Sequence, residues 1–161
     1  MSKIIFLFLA IVLTCTTAFA QKETTTGVET DKDIDLLRRD LRSEKKQLIA
    51  LNLPLTPEES TRFWPVYDQY AAEMSKVYDE FYKVVKEYVA VQKTVSDADA
   101  SSMMKRWAEL QVQVAQTRQR YLPIVEKVIP ARKAAHFFHI DRRLYSLMDL
   151  QVVSQTPLIA K

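Results

Sequence analysis

His136 and His139 are the two histidines of the chain and stand three residues apart. On a helix that spacing puts both imidazoles on roughly one side, where they could share zinc or another transition metal. Glu126 and Asp141 are the carboxylates close enough in sequence to join them. An ordinary helix face carries such a pair too, and Phe137 and Phe138 lie between these two. Metal ligation and a plain structural role therefore stand as alternatives. Nucleophilic chemistry has little to draw on. The one cysteine is Cys15, just beyond an N-terminal apolar run, and the one glycine is Gly27. Phosphate-cradling loops, dinucleotide-binding turns and nucleophile elbows need glycine where the backbone nears a ligand or φ is positive. The carboxylate pair Glu58 and Glu59 is explained by helix capping. The chain is expected not to be an enzyme, and to need no cofactor unless the histidines hold a metal.

Binding chemistry is better supplied. Five of the seven tyrosines (Tyr67, Tyr70, Tyr78, Tyr82 and Tyr88) fall in one segment. Tyr67, Tyr70 and Tyr88 lie on an apolar seam and are expected to pack between helices. Tyr78, Tyr82 and Trp64 lie off it; they either pack on flanking helices or line a surface for a second copy or another polypeptide. Met74, Met103 and Met104 add adaptable contacts. Basic residues cluster from Arg38 to Lys46 and again at Arg118, Arg120, Lys127, Arg132, Lys133, Arg142 and Arg143. These are either solvated helix faces or a positive surface that steers flexible, acidic or partly unfolded chains. The candidate contacts are Arg42, Lys46, Trp64, Tyr78, Tyr82, Arg142 and Arg143. The whole-chain balance, 23 basic against 20 acidic residues, is too even to suggest nucleic acid or a membrane surface as partner.

The elements that position these residues are helical. A chain of 161 residues, 48% hydrophobic and 27% charged, suits one folded domain. Lys3, the apolar run Ile4 to Leu13 and Ala18-Phe19-Ala20 read as a signal peptide cleaved after Ala20, too short to span a bilayer comfortably. Its loss would leave no cysteine and no stable membrane insertion. Residues 21–30 are a polar leader, 31–153 a single helical domain and 154–161 a tail. A first helix from Thr30 or Asp31 is expected to bury Ile34, Leu37, Leu41, Leu48 and Leu51, opposite Arg38, Arg39, Arg42, Lys45 and Lys46. Thr56, Pro57 and Glu59 form a capping box that starts a second helix running to about Lys93. Its seam is Phe63, Tyr67, Tyr70, Met74, Val77, Phe81, Val84, Tyr88 and Val91, spaced alternately four and three. Pro65 should kink it. Ser96 caps a third helix, with Met103, Trp107, Leu110, Val114, Thr117, Tyr121, Ile124 and Val128 as seam and Pro123 as a bend. The short turn makes helices two and three an antiparallel hairpin roughly 45–55 Å long. Pro130 opens a fourth helix with Phe137, Ile140, Leu144 and Leu147 in register. The expected fold is all-α: four helices around a long hairpin.

Two helix starts look alike, either as an internal repeat or as any two amphipathic helix starts can. Leu55-Thr56-Pro57-Glu58-Glu59-Ser60-Thr61-Arg62-Phe63-Trp64 aligns with Ile129-Pro130-Ala131-Arg132-Lys133-Ala134-Ala135-His136-Phe137-Phe138 at an offset of 74 residues. Here the chain resembles the periplasmic Spy/CpxP-type family, whose signature is a twice-occurring LTxxQ motif. Glu59 stands where the family has Gln, and Ile129, Pro130 and Lys133 where it has Leu, Thr and Gln. The aromatic four residues beyond the motif is present in both copies, as Phe63 and Phe137. The resemblance covers about residues 48–150. It implies a cradle-shaped helical homodimer in the cell envelope. Its members include ATP-independent chaperones for unfolded proteins, inhibitors of envelope-stress sensor kinases, and metal-binding relatives. A chaperone-like stress protein is the reading adopted here. A metal sensor or buffer using His136 and His139, and a dedicated regulator of one sensor kinase, are the alternatives.

Overall fold

The computed structural model describes residues 44–156. The expected signal peptide and leader, the expected start of the first helix with Arg42, and residues 157–161 lie outside the described residues. Within them the chain forms α1 (44–52), α2 (Pro57–Val91), α3 (Asp97–Glu126) and α4 (Ala131–Gln155), with no strand among the described residues. The protein is all-α. No described residue has a positive φ. The turns between helices therefore close without glycine.

The helix starts follow local chemistry. The Glu59 amide donates to Thr56 Oγ1 at 3.2 Å, and the Thr56 amide donates back to Glu59 Oε2 at 2.8 Å. Each bond satisfies an amide left orphaned at the helix end. Ser96 caps α3 by accepting from the Asp99 amide at 3.1 Å. Pro130 is itself the cap of α4, one residue ahead of the expected place, and α4 has no side-chain cap bond. Pro65 and Pro123 both lie inside helices, where each removes a backbone donor.

Ion pairs fix the helix directions. Glu73 pairs with Arg120 and Glu87 with Arg106, so α3 runs antiparallel to α2. Lys133 meets Glu59, and Asp141 meets Tyr70 further along, so α4 runs parallel to α2. Lys45 meets Asp141 and Asn52 meets His136, so α1 runs antiparallel to α4. Residues equivalent in the repeat touch one another. Lys133 Nζ lies 2.5 Å from Glu59 Oε2, and the Phe63 and Phe137 rings meet edge to face at 5.1 Å. Phe63, Tyr67, Tyr70, Tyr121 and Phe137 form an aromatic core around that pair, edge to face except for the tilted Phe63–Tyr67 contact.

The buried faces depart from the expected seams at particular places. In α2 the core steps from Met74 to Tyr78, with Val77 only half-buried, and Tyr82 and Val85 join it. In α3 Leu110, Val114, Thr117 and Tyr121 are buried as expected, but Val125 replaces Ile124 and Trp107 is partly exposed. The largest departures are in α1 and α4. α1 buries Lys45 and Ile49, with Leu53 buried just past its end, and turns Leu48 and Leu51 outward. α4 buries Phe137, Asp141, Tyr145, Met148 and Val152, and turns Leu147 outward. In both helices a charged residue occupies the inward row, so the adjacent leucine row is displaced to the surface.

Candidate functional site

The two inward charges meet. Lys45 Nζ lies 2.7 Å from Asp141 Oδ1, with Lys45 6% exposed and Asp141 fully buried. Every helix contributes to this cluster. Tyr70 of α2 donates its hydroxyl to Asp141 Oδ2 at 2.6 Å, and Arg118 Nε of α3 stands 3.5 Å from the same oxygen. Tyr145 of α4 presents its ring to the ammonium, with Nζ 3.5 Å from the centroid. Tyr145 is itself held by Tyr78, stacked at 4.3 Å and 17°. The ring of Tyr70 lies 5.9 Å from the same ammonium. A carboxylate below and aromatic faces beside a cation form an ammonium cage.

Burial sets the protonation of the cluster. It draws the Lys45 ammonium below the usual lysine value, while Asp141 pulls the other way. Burial first and the Asp141 charge second push the Tyr70 and Tyr145 hydroxyls well above the usual tyrosine range. Both stay protonated, and Tyr70 remains a donor. Burial also works against the Arg118 charge, but Tyr70 and Asp141 outweigh it and its guanidinium is held more firmly. Asp149, one turn beyond Tyr145, is pushed up by burial, with Arg118 and Tyr78 opposing.

The second arrangement is on the surface. Arg143, Leu147 and Leu150 of α4 are exposed and spaced by four and three, which makes them one row. Leu147 is 61% exposed and Leu150 65%. Arg142 and Val153, also exposed, are eleven apart, three helical turns, and flank that row. On α1, Leu51 is 82% exposed. An open groove of about 440 Å³ between α2 and α3 is lined by Glu73, Lys76, Gln113, Gln116 and Arg120 among others, and its carboxylate is already held by Arg120 and Tyr121.

The structure sorts the expected site residues. Lys46 and Trp64 come together: Lys46 Nζ lies 5.3 Å from the Trp64 ring centroid and 2.6 Å from Asp68 Oδ1. Arg142 and Arg143 are exposed on α4. Arg42 lies outside the described residues. Tyr78 and Tyr82 are not surface residues. Both are buried, Tyr78 against Tyr145 and Tyr82 against Phe81, because the apolar face of α2 is wide enough to serve two neighbours. Thr56, Pro57 and Glu59 form the expected cap, extended by Lys133 from the other repeat. His136 and His139 are exposed. His136 Nε2 donates to the Asn52 carbonyl at 2.9 Å and so ties α4 to the end of α1. Asp141 does not accompany them, because Lys45 and Tyr70 hold it in the core. No three His, Cys, Asp or Glu side chains among the described residues are grouped to share a metal.

The cage itself was not among the expected sites. Two signals point to it in hindsight. Asp141 occupies the repeat position of buried Tyr67, and Lys45 heads an i, i+4, i+8 row with Ile49 and Leu53. No helix among the described residues is long and apolar enough to cross a membrane. No protein-family model, curated protein or solved structure matches the chain.

Proposed function

We propose that the chain is an exported, ATP-independent binding protein for partly unfolded polypeptides in the cell envelope, acting as a homodimer. This is the role that the resemblance to Spy/CpxP-type proteins implies. The observation that carries it is the Arg143–Leu147–Leu150 row on α4. Single exposed leucines are ordinary, but a row of them headed by arginine and flanked by Arg142 and Val153 is a small apolar surface with a positive margin. Such a margin speeds encounter with flexible or acidic chains, and the leucines hold them by weak, sequence-tolerant contacts. Weak contacts release a client without ATP.

The test uses residues 21–161, which contain every described residue. A chemically unfolded, unrelated protein is diluted with and without an equimolar amount of this chain, and light scattering is followed without ATP. Suppressed scattering supports the reading. Undiminished scattering at several-fold excess overturns it.

A further inference from the structure

We infer that the buried cage is a receptor for a lysine ammonium, filled in cis by Lys45 of α1. A lysine-bearing amphipathic helix of a client polypeptide takes the same seat when α1 leaves. The inference names a client chemistry and so rests on the polypeptide-binding reading above.

The division of parts supports it. All the receptor groups belong to α2, α3 and α4: Tyr70, Arg118, Asp141 and Tyr145. Only the ligand, Lys45, comes from α1. The receptor groups also contact one another. Asp141 Oδ2 keeps the Tyr70 hydroxyl at 2.6 Å and Arg118 at 3.5 Å, and Tyr145 keeps its stack on Tyr78. With Lys45 gone, Arg118 still offsets part of the Asp141 charge, so the seat does not carry a bare buried carboxylate.

The rest of α1 is bound in the same way. Ile49 and Leu53 follow Lys45 at four-residue steps and are buried. Lys46 lies on Trp64, Tyr67 and Asp68, all of α2. This is helix-in-groove recognition read through i, i+4 and i+8 anchors. Leu53 closes that row just past the helix end, and residues 54–56, which include Pro54, join it to α2. They let α1 leave as a unit. A buried ion pair selects its partner more than it adds net affinity, because desolvation offsets the attraction. α1 is therefore held specifically, and a helix of the same chemistry can compete for its place. The seat reads lysines at two places, with Asp141 at Lys45 and Asp68 at Lys46, so a client helix with lysines at the same spacing matches it.

The probe is a fluorescent peptide with the sequence of residues 40–54, added to residues 21–161. One form of the chain is unaltered; the other carries Lys45→Glu, which sets the chain's own α1 against Asp141. The peptide should bind the Lys45→Glu chain at least tenfold more tightly than the unaltered one. Replacing the peptide's lysine at position 45 by glutamine should cost tenfold or more. Equal binding of the lysine and glutamine peptides overturns the proposal. So does absent binding to a Lys45→Glu chain that circular dichroism shows to be helical. Binding that appears only as the chain dimerises assigns the seat to a second copy's α1 and also overturns it. If Lys45→Glu does not fold, hydrogen exchange of the unaltered chain decides. Amides 46–53 should exchange well ahead of the α2 core, and exchange only together with α2 and α4 overturns the proposal. The scattering assay run beside these keeps the two readings apart. Suppression without peptide exchange leaves surface binding standing and overturns this inference. Peptide exchange without suppression supports a helix receptor and overturns the general binder.

Discussion

Lys45 and Asp141 decide more than one contact. Each sits where a periodic reading of its helix expects an apolar side chain, and each is balanced there by the other, 2.7 Å away. The Tyr70 hydroxyl on the carboxylate and the Tyr145 face against the ammonium replace part of the solvation that water would otherwise provide. Asp141→Ala should therefore lower stability by about 3–5 kcal/mol, since it leaves the Lys45 charge buried without a partner. The double change Lys45→Met with Asp141→Leu should recover part of that loss, since it removes the stranded charge but leaves the buried Tyr70 hydroxyl without its acceptor. Urea unfolding of both variants checks this. A double variant as weak as Asp141→Ala would mean the pair contributes net stability here.

At the scale of the element, what the sequence discloses is uneven, and the reason is physical. Helix starts depend on local hydrogen bonds, so the Thr56–Glu59 box and the Ser96 cap were legible directly. The inward faces of α2 and α3 were legible through Phe63, Tyr67, Tyr70, Met74, Leu110 and Tyr121. The faces of α1 and α4 were not. Periodicity ranks Leu48, Leu51 and Leu147 above Lys45 and Asp141 for burial, and nothing local announces that two charges far apart in sequence will neutralise each other. Tyr78 and Tyr82 were ambiguous for a related reason: a face wide enough for two neighbours looks, in sequence, like a seam plus a surface. The α2 start carries its own prediction. Thr56→Ala should cost about 1 kcal/mol. The Lys133 bond first, then the Thr56 amide, holds the Glu59 carboxyl below its ordinary value. Its stabilisation is thus fully present above the ordinary carboxylate value of 4.5 and is lost as pH falls through the lowered one. Glu59→Gln should lower stability at pH 7 and flatten the acid-side decline. Urea midpoints measured from pH 7 to pH 3 on both proteins test it, and parallel declines would contradict it.

At the scale of the molecule, the buried pair and the exposed leucines are one design. Seating Lys45 and Asp141 inward turns the leucine rows of α1 and α4 outward, and the repeat contacts Glu59–Lys133 and Phe63–Phe137 fix the two parallel helices that frame them. The core is then complete without Leu51, Leu147 and Leu150, which leaves them available to other chains. The measurement that tests this most directly compares residues 21–161 with the variant Leu51→Ser, Leu147→Ser, Leu150→Ser in the light-scattering assay. These positions lie outside the core, so each change should alter stability by no more than about 0.5 kcal/mol. The account predicts an unchanged circular dichroism spectrum, a nearly unchanged melting temperature and loss of most of the suppression. A variant that folds normally and still suppresses aggregation as fully as the unaltered chain would contradict it.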